Sequence, residues 1–340
     1  MTPAAGAGIE YVLPIRCDSG EDLAELTGYL MTVSTVAEVT VVDGSAPAAF
    51  ARHERAWSAL FRHLPPDPWP GRNRKVAGVV TGVFRARHER VVIADDDVRY
   101  RPEQIRMIAG LLEGADLVRP QNVFRPLPWH ARWDTARILL NRAFGSDYPG
   151  TFAVRAGLFR AMGGYDGDVL FENLQLMRSI RAAGGRVLDA PGLYVARRPP
   201  DTRRFLEQRV RQAYDDFAQP VRLVGEASLL PVLVAGIATG RGWLPASVAA
   251  ALACGLAEIG RRRAGGTAEF PASSAWWAPA WVLERAICVW LAVGQRLRGG
   301  VRYRGSRIPA AARPPSARFA RSREGHRTGP VQILRGEGAG

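Results

Sequence analysis

In the stretch "RVVIADDDVRY", residues 90–100, four apolar residues stand directly before three consecutive aspartates. A short apolar run is typical of a buried strand in a parallel sheet, and such sheets bind ligands beyond the carboxyl ends of their strands. Adjacent carboxylates repel one another unless a cation lies between them. In an extended chain, the first and third side chains point the same way, so the spacing predicts that Asp95 and Asp97 face one hard cation, Mg²⁺ or Mn²⁺. The alternative is an exposed acidic turn that caps the following helix.

Strands and helices alternate on both sides of this stretch, up to about residue 195. Residues 9–15 (IEYVLPI) and 38–45 (EVTVVDGS) have the pattern of further strands, and Asp43 stands near the end of the second. Apolar residues at helical spacing follow residues 22 and 101. This alternation predicts an α/β fold with a mostly parallel, doubly wound sheet and helices on both faces. Asp43 and Asp95 are then expected at one edge of the sheet.

The chain of 340 residues carries a formal net charge of +14, and Lys75 is its only lysine. A basic chain suggests an anionic partner, which is nucleic acid, an anionic membrane surface or a phosphorylated substrate. We expect no nucleic-acid partner, because the sequence contains no recognised nucleic-acid-binding module and no interleaved aromatic and basic residues. The three cysteines are too widely spaced for a thiolate metal site. The five histidines show no metal-ligand spacing and are expected at the surface or in loops.

Two apolar runs in the last third of the chain, residues 223–238 and 243–260, are separated by a short Gly-containing turn. These runs and the arginines at 261–263 predict a transmembrane hairpin over residues 221–262, with both ends in the cytosol. The next apolar run has charged residues at its middle and predicts an interfacial helix and basic segment over residues 263–308. Residues 309–340 lack periodicity and are expected to be disordered. The alternative for the apolar runs is a soluble helical subdomain whose core they fill.

Six segments of the sequence form an ordered series. They are YVLPIR, VVDGS, NRKVAGVVTGVFRARHERVVIADDDV, FAVRAGLFRAMGGYDGDVLFENLQL, EQRVRQAYDDFA and GGVRYRGSRIP. The series resembles the family-2 inverting glycosyltransferases of the GT-A type, and within them the membrane-associated, ceramide-glucosyltransferase-like branch. This resemblance implies a GT-A glycosyltransferase domain over residues 1–220, at the cell membrane and on its cytoplasmic side. It also implies metal-dependent sugar transfer, with inversion, from a nucleotide diphosphate donor to a hydroxyl acceptor that we expect to be lipid-linked.

The same resemblance implies the residues of the donor and metal sites. Asp95 and Asp97 would hold the metal and the donor diphosphate, Asp43 would contact the donor nucleoside, and Lys75 would contact a phosphate. The other donor-binding residues that the matched motifs supply are Pro14, Arg16, Gln208, Arg209 and Arg211. The alternative for Lys75 is a solvated lysine before a helix.

The helix predicted over residues 201–217 carries part of this donor site. Its spacing places Arg204, Gln208 and Arg211 on one face. That face could hold a diphosphate, and the alternative is an ordinary solvated arginine face. Gln212 stands where the family pattern has a tryptophan, so this chain lacks the aromatic residue of that motif.

The general base also departs from the family pattern. Family members carry Glu-Asp and use the aspartate, whereas this chain has Glu172 followed by Asn173, whose amide cannot accept the proton. We therefore predict Glu172 as the base, with Asp168 as the second candidate. The alternative for Glu172 is a carboxylate at a helix N-terminus. Two other functions stay open: a catalytically degenerate homologue that binds the donor and, from charge alone, a basic nucleic-acid-binding protein.

Overall fold

The computed structural model describes residues 8–17, 23–303 and 306–314. The strands are β1 Ile9–Ile15, β2 Glu38–Asp43, β3 Arg62–Leu64, β4 Arg90–Ala94, β5 Val98–Arg99, β6 Leu117–Phe124, β7 Thr151–Arg155, β8 Val187–Arg197, β9 Val301–Tyr303 and β10 Ser306–Ile308. The helices are α1 Leu23–Ser34, α2 Pro47–Trp57, α3 Arg74–Phe84, α4 Pro102–Leu111, α5 Trp129–Phe144, α6 Ala156–Ala161, α7 Glu172–Ala182, α8 Thr202–Tyr214, α9 Pro220–Ala238, α10 Trp243–Arg262 and α11 Ala278–Leu297.

The main sheet has the strand order β3-β2-β1-β4-β7-β6-β8-β5, and β9 and β10 form a separate hairpin. Parallel pairing joins β3 to β2, β2 to β1, β1 to β4, and β6 to β8. Strand β7 is antiparallel to both neighbours, and β5 is antiparallel to β8. Ile15 lies opposite Asp43 in the register of β1 and β2, and β4 ends one residue before Asp95. The predicted mostly parallel α/β sheet is confirmed, and both acidic positions lie at the same edge.

Two hydrophobic cores cover the two faces of the sheet, because alternate side chains of each strand point to opposite faces. On one face, Val12 and Val91 pack with apolar residues of α3, α6 and α7. On the other, Tyr11 and Val92 pack with residues of α1 and α4 and with Trp57 of α2. Helices therefore lie on both faces, as the sequence predicts.

A third core joins the C-terminal helices to the α/β domain. It contains Leu139 of α5, Ala257 of α10 and Trp281 of α11. The closest approach is at Gly260, where a Cβ atom would lie 1.9 Å from the carbonyl oxygen of Leu139, so a larger residue would separate α10 from α5. The second half of α10 is thus fixed to the domain.

Three helical segments in the described part of the chain are long and apolar enough to cross a membrane: Pro220–Ala238, Trp243–Ala268 and Ala272–Leu297. They differ in how many of their residues the protein buries. In the most apolar 18-residue window of each segment, 6% of the residues are buried in the first and 17% in the second, against 39% in the third. In the third, Arg285 is fully buried and its Nη1 lies 3.2 Å from Asp216. This segment therefore packs one face against the domain.

Residues 309–314, the first part of the segment 309–340 that we expected to be disordered, form backbone hydrogen bonds with the α/β domain. The N–H groups of Leu170 and Phe171 donate to the carbonyl oxygens of Ala310 and Ala311, at 3.0 and 2.7 Å. The expectation is wrong for these residues because their backbone pairs with the loop before α7, which a periodicity argument does not detect. The remainder, residues 315–340, lies outside the described part of the chain.

Candidate active site

A cavity of about 2050 Å³ opens at the carboxyl edge of the parallel strands. Pro14 and Arg16 line it at the end of β1, followed by residues 95–97 and the start of α7. Its other walls come from α8, the first turn of α9, the end of α11 and the β9–β10 hairpin. One cavity therefore connects the acidic edge of the sheet with the apolar C-terminal helices.

Two carboxylates and two cations meet where β4 and β8 end. Nζ of Lys75 lies 2.6 Å from Oδ1 of Asp95, and the guanidinium of Arg197 lies 2.9 Å from Oδ2 of Asp97. Arg197 also lies 3.6 Å from Oδ2 of Asp95. It reaches this place because β5 pairs with β8, with Val98 opposite Arg197. Cations of the protein itself thus offset the repulsion between the aspartates.

Asp97 keeps a free coordination position among the described residues, because its Oδ1 atom is buried and has no hydrogen-bond partner there. Burial raises the pKa of the Asp97 carboxyl, and the ion pair with Arg197 opposes that shift. A buried carboxylate oxygen without a partner is costly. No described group of three or more His, Cys, Asp or Glu side chains could hold a metal by itself. Two carboxylates with substrate oxygens are a usual Mg²⁺ ligand set, so the residues fit such an ion.

Gly150 makes room for the carboxylate of Asp95. A Cβ atom at residue 150 would lie 2.7 Å from Oδ2 of Asp95, closer than van der Waals contact allows. The backbone is fixed on both sides, because Asp95 N–H donates to the Gly150 carbonyl and Gly150 N–H donates to Oδ1 of Asn122, both at 2.8 Å. Residue 150 therefore sets the position of one predicted metal ligand.

Lys75 bridges the acidic run and the start of α7. It lies in the first turn of α3, whose N-cap Asn73 accepts a hydrogen bond from the Lys75 backbone N–H at 3.2 Å. Its Nζ atom donates to Oε1 of Glu172 at 2.8 Å as well as reaching Asp95. Burial alone would lower the pKa of the Lys75 ammonium, but these two carboxylates raise it well above its usual value. Lys75 is therefore charged, and it contacts both Asp95 of the acidic run and Glu172 at the start of α7.

The other candidates for the base lie in different places. Asn173 lines the cavity, but its Nδ2 atom donates to the carbonyl oxygen of Pro149 at 2.9 Å. Asp168 is not among the residues that line the cavity, and it pairs with Arg313 at 2.8 Å and Arg72 at 3.4 Å. Of the two predicted bases, the structure brings Glu172 to the cavity.

Asp43 lies behind the cavity wall, with 1% of its surface exposed. It accepts hydrogen bonds from the N–H of Ser45 at 2.9 Å and contacts His53 at 2.6 Å and His63 at 3.1 Å. Burial would raise the pKa of the Asp43 carboxyl, but the hydrogen bonds from His63, Ser45 and His53 lower it to about 2. Ser45 and His53, rather than Asp43 itself, reach the cavity. The expected surface position of His53 and His63 is wrong, because both rings pack around this buried carboxylate.

Helix α8 divides its predicted donor-binding residues between two environments. Gln208 and Arg211 line the cavity. Arg209 is buried on another side of the helix, where its Nη1 lies 2.7 Å from Oδ1 of Asp134 and its guanidinium stacks on Phe205 at 3.8 Å. The structure does not bring Arg209 to the cavity, so its predicted donor contact has no support from this geometry.

Arg197 and Asp215 are among the charged residues of the cavity that sequence reasoning missed. Arg197 is positioned by a strand pairing that joins residues about a hundred positions apart, and the only local signal is a basic pair after an apolar strand. Asp215 lies one residue beyond α8, and its Oδ1 atom is buried without a hydrogen-bond partner among the described residues. Burial raises the pKa of the Asp215 carboxyl to about 8.

No family model and no curated protein matches the chain. Among solved structures, a mannosyltransferase from Pyrobaculum calidifontis in complex with GDP-Man and Mn²⁺ is similar, with 20% identity and a TM-score of 0.48 over 85% of this chain and 88% of that one. A glucosyl-3-phosphoglycerate synthase from Mycobacterium tuberculosis, in complex with Mn²⁺, uridine diphosphate and phosphoglyceric acid, has 20% identity and a TM-score of 0.39. That alignment covers 58% of this chain and 72% of the other.

Proposed function

We propose that this chain is a metal-dependent glycosyltransferase of the GT-A type that moves a sugar from a nucleotide diphosphate donor to a hydroxyl acceptor, with inversion. The proposal depends on one observation, that Asp95, Asp97, Lys75 and Glu172 meet in one cavity at the carboxyl edge of a parallel sheet. Such a transfer needs carboxylates for a cation, a cationic side chain for phosphate, and a carboxylate that accepts a proton.

The donor would bind with its diphosphate at the acidic run. Asp95 and Asp97 would hold Mg²⁺ or Mn²⁺, which would stabilise the negative charge of the leaving diphosphate. Lys75 and Arg197 already contact the same carboxylates, so their charges act at the same place. The nucleoside would lie toward Pro14 and Arg16, where Asp43 acts indirectly by holding the backbone of Ser45.

In the transfer step, the acceptor oxygen attacks the anomeric carbon from the face opposite the diphosphate. The bond from acceptor oxygen to carbon forms as the bond from carbon to diphosphate oxygen breaks, and the nucleoside diphosphate leaves with the electron pair. The hydroxyl proton passes to the carboxylate of Glu172. Lys75 holds Glu172 beside Asp95, and this contact keeps the base close to the donor.

We also propose that the α9–α10 hairpin enters the membrane while the α/β domain stays in the cytoplasm. Val232, Val234 and Leu252 are more than half exposed, and both helices return to the domain at their ends. The arginines at 261–263 stand at the base of the hairpin, where the positive-inside rule favours the cytoplasmic side. A cavity that reaches α9 suits an acceptor carried by a lipid.

Thermal unfolding of the purified full chain tests the proposal, with a panel of nucleotide sugars and with or without Mn²⁺. A donor at 100 times its Kd should stabilise the wild type by about 2.7 kcal/mol, and only when Mn²⁺ is present. Asp97→Asn should lose this stabilisation but melt near the wild-type temperature without ligand. Glu103→Gln, a matched change at an exposed carboxylate, should behave as wild type. Metal-dependent stabilisation retained in Asp97→Asn would refute the proposed site.

A degenerate, donor-binding homologue is the second candidate, and one observation favours it. The position where the family has its aspartate base is Asn173, whose side-chain amide donates to the carbonyl oxygen of Pro149 and cannot accept a proton. Under this alternative, a nucleotide sugar stabilises the chain but is never consumed. Assays for donor consumption with membrane lipid extracts as the acceptor source separate the two candidates.

A further inference from the structure

Four arginines line the part of the cavity formed by α8, the end of α11 and the β9–β10 hairpin: Arg211 of α8, Arg298 after α11, and Arg302 and Arg307 of the hairpin. We call them the arginine cluster. Within the described chain, none of the four forms an ion pair with a carboxylate. By contrast, Arg197, Arg222 and Arg285 line the same cavity and each pairs with an aspartate. The cluster therefore holds positive charge that the described residues leave unneutralised.

The backbone holds the cluster together in spite of its mutual repulsion. Arg302 and Arg307 are directly opposite each other in the β9–β10 register, an arrangement that is destabilising for like charges. Nη1 of Arg307 donates to the carbonyl oxygen of Gly300, in the turn that follows Arg298, at 2.9 Å. The guanidinium of Arg211 stacks on Tyr303 at 5.2 Å. An anion between these side chains would remove the repulsion, and arginine binds phosphate with two parallel hydrogen bonds.

Carboxylates near the cluster do not balance its charge. Glu207 lines the cavity but pairs with Arg203 at 3.0 Å. Asp216 pairs with Arg222 and Arg285. Asp215 interacts with Arg211, but burial raises the pKa of its carboxyl to about 8 and so disfavours its charged form. The part of the cavity that the arginine cluster lines thus attracts anions.

Apolar surface begins beside other residues that line the same cavity. Arg222 in the first turn of α9 and Gln295 in the last turn of α11 line the wall. In these same turns, Val221 is 90% and Leu297 is 83% exposed. A ligand that fits both features has an anionic group for the cluster and an apolar chain for the helices.

We propose that the acceptor is a lipid that carries a phosphate group, which the arginine cluster binds while the apolar chain lies along α9 and α11. This inference rests on the proposed function and specifies its acceptor. The cluster, which takes in Arg211 from the expected donor site, recognises the phosphate, and the acceptor hydroxyl reaches the donor through the shared cavity. The phosphate could instead come from a soluble molecule, so the test includes both sources.

Binding of three ligands to the full chain in a neutral detergent tests the proposal: dioctanoyl phosphatidic acid, dioctanoylglycerol and inorganic phosphate. Phosphatidic acid should bind the wild type at least about tenfold more tightly than the other two, because only it has both the phosphate and the chains. Arg302→Gln/Arg307→Gln should lose about tenfold of that affinity. Arg106→Gln/Arg181→Gln removes the same charge from exposed helix positions and should lose none. If the first variant fails to fold, Arg298→Gln, at an exposed position after α11, replaces it.

Three results would overturn the inference. The first is dioctanoylglycerol binding to the wild type as tightly as phosphatidic acid does, and the second is inorganic phosphate binding as tightly. The third is a double variant that retains wild-type affinity for phosphatidic acid. Binding of a nucleoside diphosphate with Mn²⁺ is measured in parallel and should be unchanged in the double variant; its loss there would assign the cluster to the donor. A wild type that never binds a nucleotide donor would contradict the proposed function, whatever the lipid result.

Discussion

The ammonium group of Lys75 lies 2.8 Å from the carboxylate of Glu172, so the residue expected to contact phosphate and the residue expected to act as base form one ion pair. The same ammonium lies 2.6 Å from Asp95. The side chains of all three are mostly buried, with 16 to 22% of their surface exposed. The proposed metal site and the proposed base therefore depend on one side chain, and a change at residue 75 should affect both.

Lys75→Met should destabilise the chain, because it leaves two mostly buried carboxylates without their shared cation. We expect a loss of about 2 kcal/mol, less than for a fully buried pair. Mn²⁺ should recover part of this loss, since a cation at Asp95 replaces the missing charge, and should therefore stabilise the variant more than the wild type. Thermal unfolding with and without Mn²⁺ measures both effects. Equal Mn²⁺ responses in the two proteins would contradict a metal site at Asp95.

Glu172→Gln should lower turnover by about 10²-fold or more, which is the usual effect of removing a positioned base. Donor binding should stay near the wild-type value, because glutamine keeps the size of the side chain. Asp168→Asn is the matched comparison, and it should keep most activity, since Asp168 does not line the cavity and pairs with Arg313 and Arg72. An inactive Asp168→Asn beside an active Glu172→Gln would move the base to Asp168. An inert wild type that Asn173→Asp makes active would favour the degenerate homologue.

Gly150→Ala should weaken Mn²⁺-dependent donor binding without removing any charged group. The added methyl would lie 2.7 Å from Oδ2 of Asp95, so the carboxylate or the backbone must move. We expect at least about a tenfold loss in affinity, in line with the sensitivity of such sites to displacements of about 1 Å. Gly110→Ala is the control, because its Cβ atom would meet no other atom within 4 Å. Donor affinity unchanged in Gly150→Ala would show that the position of Asp95 is not critical.

The contribution of His63 to stability should depend on pH. Burial would lower the pKa of the His63 ring, but hydrogen bonds to Asp43 and Glu54 raise it above the value in the unfolded chain. The stabilisation is therefore fully present below the unfolded pKa of about 6.5 and is lost as pH rises through the folded pKa. Wild type should exceed His63→Gln in melting temperature by more at about pH 6 than at about pH 9. A difference that grows with pH would contradict the assignment.

Charges placed on the α9–α10 hairpin should release the chain from membranes. Val234→Glu/Leu252→Glu puts two carboxylates on the exposed apolar surface of the hairpin, at a cost of about 2–3 kcal/mol each inside a bilayer. Sedimentation of membranes after carbonate washing measures the bound fraction, which should fall for this variant. Met107→Glu changes a residue of α4 with 58% exposure, close to the 56% of Val234, and should not alter it. A wild type that carbonate alone extracts fully would replace the hairpin with a peripheral or soluble helical unit.

Local sequence patterns predicted β1, β2 and β4 in the parallel part of the sheet because these strands are rich in apolar residues, whereas the short polar strand β3 gives no such signal. The predicted first strand coincides with β1, and the run before Asp95 is β4. The place of the carboxylates followed from general topology, since parallel strands present their carboxyl ends at one edge. The strands predicted in this way are those whose place in the sheet follows from the alternation of strands and helices along the chain.

The features that the sequence did not predict depend on contacts between distant residues. Arg197 enters the site through a two-residue strand, β5, which is too short for any periodicity. The side chains of His53 and His63 are buried where they form hydrogen bonds to the carboxylate of Asp43, and the sequence around neither histidine predicts this burial. Residues 309–314 have a disorder-like composition but are ordered by hydrogen bonds to a loop about 140 positions earlier. Composition and spacing do not encode such partners.

The contact between segment 309–314 and the loop before Glu172 has a consequence for the order of events during synthesis. The ribosome releases residues 170 and 171 long before residues 310 and 311, and the hairpin of α9 and α10 emerges in between. The nascent α/β domain therefore lacks the backbone partners that hold this loop until the apolar helices have left the exit tunnel. The cavity is therefore completed only after the synthesis of α9 and α10, the helices that the proposed function places in the membrane.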